Sequence, residues 1–169
     1  MTDKEKFYMD IAKLASSKSK DPKTKVGSVL EKDGRILSIG YNGAPRNFPD
    51  ELVPIEDKGD KLIDKKNTYM VHSELNCILN YGGSLKDLIG STLYVTVYPC
   101  EECAKALAQV GVSKVVYLHE YRKKEHMEAS KRILDYCDID VIEYLDWFER
   151  WGIFIYPLFF YLILIGIHL

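Results

Sequence analysis

The chain has 169 residues, with 23 Lys+Arg against 25 Asp+Glu and a formal charge of −2. That leaves room for one ordinary domain and excludes the broad basic surface of a generic polyanion binder. Residues 151–169 contain no Asp, Glu, Lys or Arg, so the 47% hydrophobic content divides into a normal charged domain, 1–150, and an apolar tail. Phe7, Ile11 and Leu14 recur at helical spacing and predict a helix from about Asp3 to Lys18 with that stripe buried. Lys25–Leu30 and Arg35–Tyr41 read as strands joined at Asp33-Gly34, a hairpin signal. No period holds from Ala44 to Thr68, where Pro45, Pro49, Pro54 and Gly59 break a charged stretch, and a loop this long points to function. Helix resumes near His72, with Leu75, Ile78 and Leu79 on one face, and stops before Gly82-Gly83. Thr92–Tyr98 is a β-branched and aromatic strand, followed by a helix over Glu101–Val110, a strand over Lys114–Leu118, a helix over His126–Cys137 and a strand over Asp140–Tyr144. Alternation of single helices and strands predicts an α/β fold with crossover connections and a sheet covered on its faces.

Two motifs carry the chemistry. His72-Ser73-Glu74 opens one helix, and Pro99-Cys100-Glu101-Glu102-Cys103 spans a strand-to-helix turn. One imidazole and two thiols are three good zinc ligands with a fourth position open, and an open position holds a water whose pKa the metal lowers towards neutrality. A helix N-terminus beneath Cys100 and Cys103 favours their thiolate forms. Glu74 is not needed as a ligand and lies where it can shuttle a proton from that water to a substrate. Taken alone, C-x-x-C is as often a redox pair or structural half-site, and a helix-start His is often a capping residue. The four residues in this order point instead to a catalytic centre. A structural zinc site would want a fourth ligand, for which His119 and His126 are available without a recognisable pairing. Cys77 and Cys137 read as core.

H-x-E followed by P-C-x-x-C resembles the signature of zinc-dependent nucleobase deaminases. In that chemistry hydroxide attacks C4 of cytosine while the glutamate protonates N3 and then the departing amino group. Further segments make the chain resemble the deoxycytidylate (dCMP) deaminase family over about 17–144. They are Ser19-Lys20-Asp21-Pro22, Val26-Gly27, Gly40-Tyr41-Asn42-Gly43 with Pro45, Leu75-Asn76, Tyr94-Val95 and Ala104-Lys105.

The resemblance implies a three-layer α-β-α cytidine-deaminase-like fold around a five-stranded mixed sheet. It implies one catalytic Zn²⁺ on His72, Cys100 and Cys103, with Glu74 as proton shuttle. Asn42 would contact the nucleotide sugar, and Tyr121 would lie near the bound nucleotide, either stacking on the base or donating to a phosphate. Arg46, in the long loop, is a candidate for gripping the monophosphate. Ser73, where the family usually has Ala, and Pro99 flank the ligands and are expected beside the substrate. The implied reaction is hydrolytic deamination of dCMP to dUMP, feeding thymidylate synthesis. Rival readings are a deaminase of dCTP, cytidine or a tRNA base, and a catalytically silent zinc-binding regulatory protein. Near-neutral charge argues against a nucleic acid substrate, and Glu74 against the silent form. The family further implies a homo-oligomer, often a hexamer, activated by dCTP with Mg²⁺ and inhibited by dTTP. Absence of extra Cys and His from 44–68 argues against a second structural zinc.

The tail has no counterpart in that family, whose domain ends near Tyr144. Trp151–Ile167 just reaches the roughly 17-residue lower limit for a membrane-spanning helix, with Pro157 near its middle. Three readings stay open for 151–169: packing in an oligomer interface, membrane association, and an appended or misread coding segment. The N-terminus (MTDKEKFYMD) lacks the apolar run of a secretory signal, and four cysteines then fit a reducing, cytoplasmic setting better than a disulfide framework.

Overall fold

In a computed structural model, residues 2–145 are described; the tail 151–169 and its three readings lie outside them. Helix α1 (Asp3–Ser16) starts on Thr2, whose hydroxyl accepts from the Glu5 N–H while Glu5 reaches back to the Thr2 N–H, a capping box. Strands β1 (Gly27–Lys32) and β2 (Arg35–Tyr41) pair antiparallel. Their turn places Asp33 at φ 52° and Gly34 at φ 81°, the two positive angles that a tight hairpin requires. After the long loop come α2 (Ser73–Leu79), β3 (Thr92–Val97), α3 (Glu101–Gln109), β4 (Lys114–His119), α4 (Lys124–Tyr136) and β5 (Asp140–Glu143).

The sheet order is β2-β1-β3-β4-β5. β1 is antiparallel to β2 and β3, whereas β3, β4 and β5 run parallel, so the sheet is mixed. Tyr8, Met9 and Ala12 of α1 pack with Val29, Tyr94 and Val116 on one face. On the other, Cys77 and Ile78 of α2, Ala104 and Leu107 of α3 and Leu134 of α4 pack with Leu30, Leu93, Val95 and Val115. These two clusters make the three layers.

Two helical faces differ from expectation. Phe7 and Leu14 are 57% and 70% exposed, and α1 buries Tyr8, Met9, Ala12 and Ala15 instead. On α2, Leu79 is 68% exposed and Leu75 also faces outward, while Ser73, Glu74, Cys77 and Ile78 are buried. The reason is close approach. A Cβ on Gly27 would lie 2.1 Å from the Ala12 carbonyl oxygen, and one on Gly40 would lie 2.2 Å from that of Ser73. Helices seated that near a strand can present only small or slender side chains at the contact. Cys137, expected in the core, is exposed beyond the end of α4.

The β2 edge of the sheet is met by side chains of α2. Asn76 Nδ2 donates to the Tyr41 carbonyl at 2.8 Å and Asn80 Nδ2 to the Ile39 carbonyl at 3.3 Å. The loop between β2 and α2 is closed at its base by reciprocal hydrogen bonds between Gly43 and Val71. Within it, Asp50–Leu52, Leu62–Asp64 and Lys66–Tyr69 form short 3₁₀ turns, which a search for α or β periods does not reveal. Among the described residues, no helix is long and apolar enough to cross a membrane.

Candidate metal centre

His72 is the N-cap of α2 and Cys100 the N-cap of α3; neither helix has a side-chain cap hydrogen bond at that position. Both side chains are thereby turned outward from the helix start, towards each other. His72 Nδ1 lies 3.3 Å from Cys100 Sγ and 3.5 Å from Cys103 Sγ. All three ligand atoms lie within 4.8 Å of one another. A tetrahedral zinc with ordinary bond lengths would hold N and S about 3.6 Å apart, so the cluster is the right size as well as the right chemistry. His119 and His126 do not join it. His126 Nδ1 instead meets Glu101 Oε1 at 2.7 Å, with its ring 6.3 Å from that of Tyr121.

The metal-free cluster is strongly polarised. Hydrogen bonding from Cys103, with His72 beside it, lowers the Cys100 thiol to about 4, while the same hydrogen bond and burial raise Cys103. His72 is pushed up to about 9, chiefly by its hydrogen bond to Cys100. Binding a divalent cation here requires thiolate sulfurs and a neutral imidazole, so the metal displaces protons from these ligands as it binds.

Glu74 is buried in the first turn of α2, and burial raises its carboxyl above the ordinary range. Its Oε2 accepts from the Ser73 hydroxyl at 2.9 Å. Ser73 itself is held from behind, since Ser28 Oγ donates to its carbonyl at 2.8 Å. Glu74, Ser73, His72 and Cys100 line a cleft of about 730 Å³ together with Asn42 and Tyr121. Burial pushes the Tyr121 phenol up to about 12, so at neutral pH it is an uncharged O–H donor.

Two expected site residues stand apart from the cleft lining. Pro99 is fully buried; it ends β3, and its neighbours Tyr98 and Cys100 face the cleft instead. Arg46 is exposed on a turn closed by Phe48 N–H to the Pro45 carbonyl at 3.0 Å, with Asn47 at φ 68°. Arg46 is not among the residues that line the cleft. Asn42 is also not in the left-handed conformation that an Asn-Gly turn would favour. Cationic lining comes from elsewhere: Lys23, Lys25, Lys66, Arg122 and Lys123. The run Arg122-Lys123-Lys124 directly after Tyr121 was the sequence signal for part of it.

A profile described as the cytidine and deoxycytidylate deaminase zinc-binding region matches residues 2–119. The chain belongs to this family. Members similar to it include a probable deoxycytidylate deaminase of Drosophila melanogaster, 44% identical over 142 residues, covering 79% of this chain and 68% of that protein. The deoxycytidylate deaminase of Homo sapiens is 31% identical over 135 residues, covering 79% and 75%. Among solved structures, the dCMP deaminase of cyanophage S-TIM5 in complex with dCMP and dUMP superposes with a TM-score of 0.67 at 29% identity. That match covers 85% of this chain and 99% of the phage chain. As a deaminase-family member with this donor set, the chain is a zinc-dependent hydrolase, and its fold is the α-β-α sandwich of the family.

Proposed function

We propose that the chain hydrolyses dCMP to dUMP and ammonia. The observation that carries this reading is the buried carboxylate of Glu74 beside a three-ligand zinc set, in a cleft with cations at its walls. Zinc in such a site supplies a water acidified towards neutrality at the open fourth position. The protein's own contribution is proton transfer and placement. Glu74 takes a proton from the water that attacks C4 and delivers it to N3 of the cytosine ring, then takes the proton of the new C4 hydroxyl and passes it to the amino group, so that the C4 carbonyl forms as ammonia leaves. Ser73 fixes one oxygen of that carboxylate and leaves the other for the substrate. Ser73→Ala is therefore expected to lower kcat about tenfold or more while leaving the zinc content unchanged, from the loss of one hydrogen bond to an ionised group. Steady-state kinetics with metal analysis reads both.

The phosphate reading moves from Arg46 to the cleft. Lys23 is paired with Glu56 at 3.3 Å and Lys66 with Asp21 at 2.6 Å, whereas Lys25, Arg122 and Lys123 have no ion-pair partner among the described residues. Arg122, whose planar fork suits phosphate oxygens, is assigned to the monophosphate. Ammonia release from dCMP, deoxycytidine and dCTP tests substrate and phosphate together. The expected order places dCMP first. Arg122→Ala should raise KM for dCMP about tenfold, the worth of one charge-assisted hydrogen bond, and leave deoxycytidine kinetics unchanged. Equal effects on both substrates would remove Arg122 from the phosphate site.

Assembly into a homo-oligomer belongs to the same reading. It is supported by exposed Ile39 and Tyr41 on β2 beside exposed Leu75 and Leu79 on α2. Activation by dCTP with Mg²⁺ and inhibition by dTTP are carried over from the family, and placement in the cytoplasm from the N-terminal sequence and the cysteine usage. The first two are read by repeating the dCMP assay with each nucleotide.

A further inference from the structure

Three stretches apart in sequence meet at one wall of the cleft: residues from Asp21 to Val26, Asn42, and the end of the long loop at Lys66. Asp21 sits at their junction. Its Oδ1 accepts the N–H groups of Lys23 at 2.8 Å and Thr24 at 3.1 Å, and its Oδ2 accepts Lys66 Nζ at 2.6 Å and Asn42 Nδ2 at 3.3 Å. A carboxylate has about four lone-pair sites, and all are taken, so Asp21 has nothing left to offer a substrate. Asn42 Nδ2 spends its second proton on the Thr24 carbonyl at 2.9 Å, and its Oδ1 accepts the Val26 N–H at 2.8 Å. What Asn42 retains is one acceptor position on Oδ1. The pair that holds this arrangement is buried, with the Asp21 side chain 3% exposed and that of Lys66 13%.

We propose that Asp21 and Lys66 are positioning residues of the nucleotide site, locking the Asn42 amide so that it presents an acceptor, and only an acceptor, to a sugar hydroxyl. This rests on the nucleotide reading above and adds the residues that set one of its contacts. Two neighbouring ion pairs, Lys20–Asp50 and Lys23–Glu56, tie the same loop to the same segment, but both are exposed and screened by water. Burial alone would raise the Asp21 carboxyl; the Lys66 ammonium and the Lys23 and Thr24 N–H groups outweigh it, and Asp21 stays ionised below the usual carboxylate range. The carboxylate is therefore ionised at neutral pH, where it accepts from Asn42 and orients it. Asp21→Asn cannot satisfy both sides: one orientation sets an NH₂ against the Lys23 and Thr24 N–H groups, the other against Asn42 and Lys66.

The test uses Asp21→Asn, Lys66→Met and, as an exposed-pair control, Lys20→Met. Asp21→Asn and Lys66→Met are expected to raise KM for dCMP about tenfold with kcat within twofold, and Lys20→Met to match wild type. Hydrogen exchange on the substrate-free protein gives a second readout. The Val26 amide, which donates to Asn42, should exchange at least tenfold faster in Asp21→Asn and Lys66→Met, while the β3–β4 amides keep their protection. Wild-type KM in both variants overturns the proposal, as does faster exchange spread evenly over the chain, which reports lost stability alone. If the wild-type protein releases no ammonia from dCMP, the substrate reading fails, and exchange at Val26 still decides whether the pair orients Asn42.

Discussion

Glu74→Gln is expected to abolish turnover, by about 10³-fold in kcat, within the 10²–10⁴ range that a positioned acid–base group contributes. The substitution keeps shape and one hydrogen-bonding oxygen, so the contact with Ser73 and the packing of α2 survive. What disappears is the ability to take a proton and return it. Zinc content should be unchanged, because the three ligands are His72, Cys100 and Cys103 and Glu74 is not among them. Metal analysis alongside ammonia release checks both halves. A Glu74→Gln enzyme with wild-type kcat would show that the shuttle lies elsewhere, and one that loses zinc would show that the carboxylate holds the metal.

Gly40→Ala should damage the same centre without touching a ligand. A Cβ at position 40 would meet the Ser73 carbonyl oxygen at 2.2 Å, the Cys77 nitrogen at 2.5 Å and the Cys77 Cα at 2.8 Å. All three are backbone atoms of α2, so no side chain can swing aside and the helix itself has to retreat. Overpacking of this kind costs about 1–3 kcal/mol. Retreat also carries His72, Ser73 and Glu74 away from Cys100 and Cys103, and a displacement near 1 Å costs on the order of 10² in rate. Gly27→Ala is the matched comparison, since its Cβ meets the α1 backbone, at the Ala12 oxygen and the Ser16 nitrogen, where no site residue sits. Calorimetry should show both variants destabilised, and kinetics on folded protein should show kcat lost only in Gly40→Ala. Equal kcat in the two would mean that α2 absorbs the strain without moving its first turn.

The metal set was legible because the residues concerned are close in sequence and chemically unusual. His72 with Glu74, and Cys100 with Cys103, each declare themselves within five residues, and the parallel β3–β4–β5 arrangement follows from alternating strands and helices. The faces of α1 and α2 were not legible. Periodicity does not see the close seats at Gly27 and Gly40, where Ala12, Ser16, Ser73 and Cys77 meet the strands, nor that Tyr8 and Met9 rather than Phe7 and Leu14 form the buried side of α1. Nor could spacing find the partner of Asp21, because Lys66 lies 45 residues away across a segment without a period. Arg46 looked suitable by type and by nearness to Asn42. It sits instead on an exposed turn outside the cleft lining.

The amides of Asn76 and Asn80 govern how copies of this chain can meet. They occupy the outward carbonyls of Tyr41 and Ile39 on β2, an edge strand whose rim lies next to the apolar side chains of α2. An incoming strand finds those acceptors already taken, so growth by continuous sheet across molecules, the route to fibres, is blocked there. Contacts at that flank then have to be made by side chains against side chains rather than by backbone pairing. Replacing either asparagine with leucine would enlarge the greasy surface and reopen the rim in one step, turning a selective contact into a sticky one.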